Sequence, residues 1–168
     1  RILDAEQLPP GIPDHTSLLL EKEISFQREL SVVLCRGLGG EISCFPVFEN
    51  RHQDGILRET TCPAQISAAL EKQALEIACT LAEQMQLVGT LTVELFEADG
   101  SLLVNELAPR VHNSGHLSIE ACTVSQFEQH LRAICGLPVR PARLLRPAAM
   151  VNILGNCSFR KIRVEGVE

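Results

Sequence analysis

Apolar and polar positions alternate with a period that changes several times along the chain. "TSLLLEKEI" (16–24) and "ELSVVLCRG" (29–37) carry short apolar runs and read as two strands joined around Ser25 to Arg28. "LGGE" supplies a turn, and "EISCFPVFEN" (41–50) returns as a third strand, with Pro46 hinting at an edge or a bulge. "RHQDGILRETTCPA" (51–64) is polar enough to read as a loop, with Asp54-Gly55 a simple turn. The period then becomes helical from about Gln65 to Met85. Ile66, Leu70, Ile77 and Leu81 form the apolar stripe, and Glu71, Lys72, Glu76 and Glu83 take the wet side. "GTLTVELF" and "LLVNEL", separated by the turn signal Asp99-Gly100, predict a hairpin. A second helix opens at Ser125, which with Glu128 makes a capping-box pattern, and closes at Cys135-Gly136 with Pro138 beyond. "AAMVNILG" (148–155) reads as a last buried strand. This order implies an α+β fold, a mostly antiparallel sheet covered by two main helices.

Composition narrows the classes. The chain has 168 residues, 45% of them hydrophobic, and a net charge of −6, which argues against a nucleic-acid partner because that needs a basic face. No apolar run approaches the roughly 20 residues that span a bilayer, and "RILDAEQLPPGIPDH" has no signal-peptide core. A soluble, cytoplasmic protein with no membrane partner is expected. Seven cysteines occur without a C-x-x-C pair, so they are expected to be reduced thiols, mostly buried. With no Trp or Tyr, aromatic stacking cannot dominate binding. Arg1 at the start and the abrupt "RKIRVEGVE" at the end read as cuts through a longer protein.

One stretch breaks the apolar pattern. "VNELAPRVHNSGH" (104–116) packs a carboxylate, two amides, an arginine and two histidines behind a strand. Buried polar groups need partners, so the cluster is either a solvated loop or a site. Glu94 and Glu106 lie on the two arms of the predicted hairpin, and facing carboxylates attract a hard cation such as magnesium. Equally, Glu94 could point to solvent. A two-residue turn at Asp99-Gly100 pairs Glu94 with Asn105 and Glu106 with Val93, which sends the two carboxylates to opposite faces. A shared metal therefore requires an irregular hairpin. Arg110 offers a planar fork for phosphate or carboxylate, and the backbone amides of Asn113, Ser114 and Gly115 could form an anion site at a helix start. Taken singly, His112 and His116 are more often structural, and His15 and His130 have no companions. In "EKEISFQRE", Glu21, Glu23 and Glu29 either border a nucleotide or form a solvated acidic edge.

Four stretches, "LLLEKEISFQRELSVVLCRG", "HQDGILRET", "LTVELFEADGSLLVNELAPRVHNSGH" and "SQFEQHLRAICGLP", together resemble the ATP-grasp superfamily. Within it they look like the 5-(carboxyamino)imidazole ribonucleotide synthases of purine biosynthesis. The resemblance covers most of residues 17–138, with 1–16 as a linker or the tail of a missing lid segment and 139–168 as the start of a truncated C-terminal small domain. It implies an ATP-dependent ligase that activates bicarbonate as carboxyphosphate and carboxylates aminoimidazole ribonucleotide. Position by position, Glu21, Lys22, Glu23 and Ile24 would hold adenine, Glu29 the ribose, and His52 would contact the nucleotide. Glu94 and Glu106 would bind magnesium (or manganese), with Asn105 and Glu106 at the nucleotide. Arg110, His112 and Asn113 would be catalytic, and together with Ser114 would line the bicarbonate and imidazole side. A homodimer is implied as well. The family's strand-borne lysine and glycine-rich lid have no counterpart here, and Leu117 stands where a Trp is common. The alternatives are another ATP-grasp carboxylase or ligase, or a non-catalytic nucleotide-binding or interaction fragment.

Overall fold

The computed structural model describes residues 21–155. Its strands are β1 (Arg28–Arg36), β2 (Ile42–Cys44), β3 (Phe48–Gln53), β4 (Ile56–Cys62), β5 (Gly89–Ala98), β6 (Ser101–Ala108) and β7 (Ala148–Val151). The helices are α1 (Ala68–Gln84), the single turn α2 (Ser118–Ala121) and α3 (Gln126–Ile134), with a 3-10 turn at Asn113–Gly115. All strands join one sheet in the order β6-β5-β1-β3-β4-β7, with β2 paired to β1. Each pairing is antiparallel. The expected fold class is therefore the observed one.

β1 is the centre of the molecule, buried on both faces from Leu30 to Cys35. Leu30, Val32 and Leu34 point to one face and pack with Leu91, Val93 and Leu95 of β5 against α1. Val33 points to the other and packs with Phe45, Phe48, Leu117, Ala121 and Val124. That alternation, with period two, gives each face its own core. α1 starts at Ser67, whose hydroxyl accepts from the Leu70 amide at 3.2 Å. It lies close to the sheet because its most buried positions are Ala74, Ala78 and Ala82, four apart on one side. Leu70 is buried with them, and Ile66, Ile77 and Leu81 of the expected stripe flank this seam half-buried. α3 starts as expected, with the Ser125 hydroxyl accepting from Glu128 N, and Gly136 follows it at φ 69°.

Several local expectations change. The strand expected at 16–24 has residues 16–20 outside the described region, and residues 21–26 form no strand. The expected strand 41–50 is two strands, because Pro46 cannot donate to a ladder and the chain steps inward at Phe45. Residues 51–64 are not a loop but the end of β3 and all of β4, closed by Asp54 and Gly55 at φ 54° and 73°. The buried positions of that hairpin include the polar residues Asn50 and Thr60, so no apolar alternation marks the two strands. The last strand ends at Val151 and is an edge, exposed at alternate residues rather than buried. β7 pairs with β4, so residues up to 151 lie in the same sheet as the rest. Of the described thiols, Cys35, Cys62 and Cys122 are buried, Cys44 and Cys79 half-buried, and Cys135 exposed. Cys157 and the N-terminal stretch 1–16 lie outside the described residues. Among the described residues no helix is long and apolar enough to cross a membrane.

Candidate functional site

The β5–β6 hairpin turns on Asp99 and Gly100, both left-handed at φ 50° and 74°, the backbone a two-residue hairpin loop favours. From there the ladder runs regularly, Ala98 to Ser101 through Leu95 to Val104. It then shifts by one, so that Glu94 faces Glu106 and Val93 faces Leu107. Asn105 is the additional residue of this β-bulge. The irregular hairpin required for a shared cation is present, and it brings the two carboxylates to one face. Asn105 Nδ2 donates to Glu94 Oε2 at 3.4 Å.

That face is opposite α1, because Val93 and Leu95 on either side of Glu94 belong to the α1 core. The chain after β6 folds back over it. His112 caps the 3-10 turn, and its Nε2 lies 3.3 Å from Glu94 Oε1. A residue the sequence did not reveal holds this loop: Gln126, fully buried at the start of α3. Its Oε1 accepts from the His112 amide at 2.9 Å, while its Nε2 donates to the His112 carbonyl at 2.6 Å. Gly115 makes room for it, since a Cβ there would sit 2.5 Å from Gln126 Oε1.

Ser114 was expected to line a substrate. It is completely buried, with its hydroxyl bonded to Ser31 and to His112 Nδ1. Of the three amides expected at an anion site, those of Ser114 and Gly115 are bonded within the turn. The Ser114 amide donates to His112 Nδ1, and the Gly115 and His116 amides donate to the carbonyls of His112 and Asn113. Asn113 is half-buried and bonds His116 Nδ1 at 2.9 Å, and the His116 ring stacks on Phe127. Arg110 is exposed, with Nη1 on the Val111 carbonyl at 3.0 Å.

Glu29 and His52 form a second pair on the same side. Glu29 Oε2 accepts from His52 Nδ1 at 2.9 Å and from the His52 amide at 3.2 Å, next to a register shift between Arg51 and His52. Glu21, Lys22 and Glu23 are exposed and Ile24 half-buried in extended chain that leads to Phe26, which stacks on Phe96 of β5. Glu94 is shaped by these neighbours. Burial pushes its carboxyl above the usual range, with Glu106 and Glu29 adding to the effect while His52 and Asn105 counter it. Burial, then Arg110, pushes His112 below its usual value, which favours the neutral ring.

Two facing carboxylates repel unless a cation lies between them. Their oxygens suit a hard cation that keeps several waters and takes its remaining ligands from phosphates, as magnesium does. Among the described residues no group of three or more His, Cys, Asp or Glu forms a cluster that could hold a metal ion.

The ATP-grasp domain family matches residues 4–127 of this sequence. The chain belongs to the ATP-grasp family. It is 49% identical over 144 residues to the N5-carboxyaminoimidazole ribonucleotide synthase of Bacillus subtilis, an alignment that takes in 85% of this chain and 38% of that protein. Among solved structures, the N5-carboxyaminoimidazole ribonucleotide synthetase of Thermus thermophilus is similar with TM-score 0.77 and 46% identity, over 80% of this chain and 38% of that one. The Aspergillus clavatus synthase solved with ADP and 5-aminoimidazole ribonucleotide gives TM-score 0.75 at 35% identity, over 79% of this chain and 36% of that one. The chain thus spans between a third and two fifths of the length of these ATP-grasp relatives.

Proposed function

We propose that this ATP-grasp chain supplies the metal-binding and acceptor-facing part of an ATP-dependent carbon–nitrogen ligase. The reaction is carboxylation of 5-aminoimidazole ribonucleotide with bicarbonate, yielding the N5-carboxy product, ADP and phosphate in purine biosynthesis. The observation that carries this reading is the bulge at Asn105, which sets Glu94 opposite Glu106 and leads directly into Arg110, His112 and Asn113. The similar synthases, one of them solved with ADP and the aminoimidazole nucleotide, support the choice of substrate.

Glu94 and Glu106 would hold magnesium, or manganese in its place, and the ion would neutralise charge on the transferring phosphoryl group. Glu29, held by His52, would accept the ribose hydroxyls, and Glu21 to Ile24 would meet adenine through the backbone. Asn105, donating to Glu94, keeps that carboxylate turned toward the nucleotide. Arg110 is exposed, and among the described residues only its Nη1 is bonded, so its guanidinium could meet an anionic intermediate such as carboxyphosphate. His112 and Asn113 border the acceptor side. A homodimeric, cytoplasmic enzyme completes the proposal.

The test follows phosphate release from ATP with and without aminoimidazole ribonucleotide and bicarbonate. Stimulation by both is the expected result. Stimulation by another amine alone would move the protein to a different ATP-grasp ligase, and binding of nucleotide without any turnover would favour a binding module.

A further inference from the structure

Four fully or almost fully buried polar side chains cross the sheet beneath the site: Thr60 of β4, Asn50 of β3, Ser31 of β1 and Ser114 of the 3-10 turn. They are bonded in one line. Thr60 Oγ1 donates to Asn50 Oδ1 at 2.9 Å, Asn50 Nδ2 donates to Ser31 Oγ at 2.9 Å, and Ser31 Oγ donates to Ser114 Oγ at 3.0 Å. Ser114 Oγ lies 3.0 Å from His112 Nδ1, and His112 Nε2 faces Glu94. Ser31 is also the direct cross-strand partner of Glu94.

We propose that Asn50, Ser31 and Ser114 are positioning residues that fix the proton of His112 on Nε2 and aim it at Glu94. The inference rests on the reading of Glu94 and His112 as site residues.

The polarity of the line follows from one group that can only donate, the Ser114 amide, and from the orientation of the Asn50 side-chain amide. The Ser114 backbone N–H donates into His112 Nδ1 at 3.4 Å, and an amide cannot reverse. At the other end Asn50 takes the Thr60 proton on its oxygen and so presents its NH2 to Ser31. Ser31, having accepted, sends its own proton to Ser114, and Ser114 sends its proton to Nδ1. Both routes make Nδ1 an acceptor. The ring's single proton is then on Nε2, where it meets the Glu94 carboxylate. The other tautomer would set a lone pair against that carboxylate and leave two donors without an acceptor.

A core position between Leu30 and Val32 has no packing need for a hydroxyl, and one left unsatisfied costs about 1–3 kcal/mol. A complete network removes that cost and lends rigidity to what it touches. Here it touches a histidine that holds one oxygen of a carboxylate proposed to bind metal, the arrangement by which partners behind a ligand orient it.

The experiment uses this chain labelled with 15N-histidine. Long-range 15N–1H spectra report the tautomer of His112 without any ligand, and calorimetry reports ADP binding with and without magnesium. In the wild type Nδ1 should resonate as an unprotonated nitrogen and Nε2 as a protonated one. Ser31→Ala should mix the tautomers and weaken magnesium-dependent ADP binding by about tenfold or more, while Ser31→Thr, which keeps the hydroxyl, restores both. A merely structural hydroxyl would lower the melting temperature and leave tautomer and magnesium dependence unchanged, overturning the proposal. A wild-type His112 protonated on Nδ1 would do the same. Should Ser31→Ala not fold, Ser114→Ala is read by the same two signals. The tautomer needs no nucleotide, so failure of the ligase reading leaves that half of the result standing and is distinguishable from failure of the relay.

Discussion

Glu94 concentrates the chemistry of the site in one side chain. Burial and the facing Glu106 raise its folded pKa above the ordinary 4.5. Between 4.5 and that raised value the folded state binds more protons than the unfolded one, so this group's contribution to stability falls as pH rises through the window. Above it the charged carboxylate is a standing cost in the ligand-free protein. Glu94→Gln should therefore melt higher than wild type near pH 7, by about 0.5–2 kcal/mol. The gain should shrink as pH is lowered through the window, and calorimetric melting over pH would read both. His112 has the opposite sign: with a folded pKa below 6.5, its contribution is complete above 6.5 and is lost as pH falls toward the depressed value. At this scale the sequence reveals which residues carry charge, because carboxylates and histidines beside a strand end are visible as letters. Ser31, Asn50 and Gln126 are not legible in this way. Each is a common residue made informative only by complete burial and by a partner far along the chain, 83 residues away for Ser31 and Ser114.

At the scale of elements the bulge at Asn105 decides the geometry. Hairpin and turn are plain in the alternation and in Asp99-Gly100, and register alone identifies the irregularity a shared cation would need. What the pattern cannot supply is its position, since any extra residue between the turn and Glu106 would realign the arms. Gly100 sits at φ 74°, and nothing lies within 4 Å of the point a Cβ would occupy, so Gly100→Ala meets only the left-handed backbone penalty. A loss of about 1–2 kcal/mol in urea unfolding, with the slope unchanged, is expected. The seam of α1 behaves differently: Ala78 is fully buried against the sheet, and Ala78→Leu should destabilise by about 1–3 kcal/mol through overpacking. The β3–β4 hairpin escaped the pattern because its buried positions include the polar Asn50 and Thr60, whereas the first half of β5 is buried on both sides and reads as an apolar run.

On the scale of the whole molecule, one sheet separates two jobs. The α1 face is an apolar core, and the opposite face carries Glu29, His52, Glu94, Glu106 and His112 beneath the returning 3-10 turn and α3. The ATP-grasp family match, residues 4–127, takes in α1 and its core as well as the loop that closes over the carboxylates. From α1 onward the order of helix, hairpin, helix and strand was legible because the helical and strand periods are well separated in sequence. The pairing of β1 with β2, β3 and β5 was not, because partners so far apart along the chain leave no local pattern. The central claim is that the register shift at Asn105 creates a metal-dependent nucleotide site. It is tested most directly by calorimetric titration of this chain with ADP, with and without magnesium, beside the double variant Glu94→Gln, Glu106→Gln. The account predicts magnesium-dependent binding that the double variant loses while its circular dichroism spectrum stays that of the folded chain. Equal binding by wild type and variant, or binding indifferent to magnesium, would contradict it.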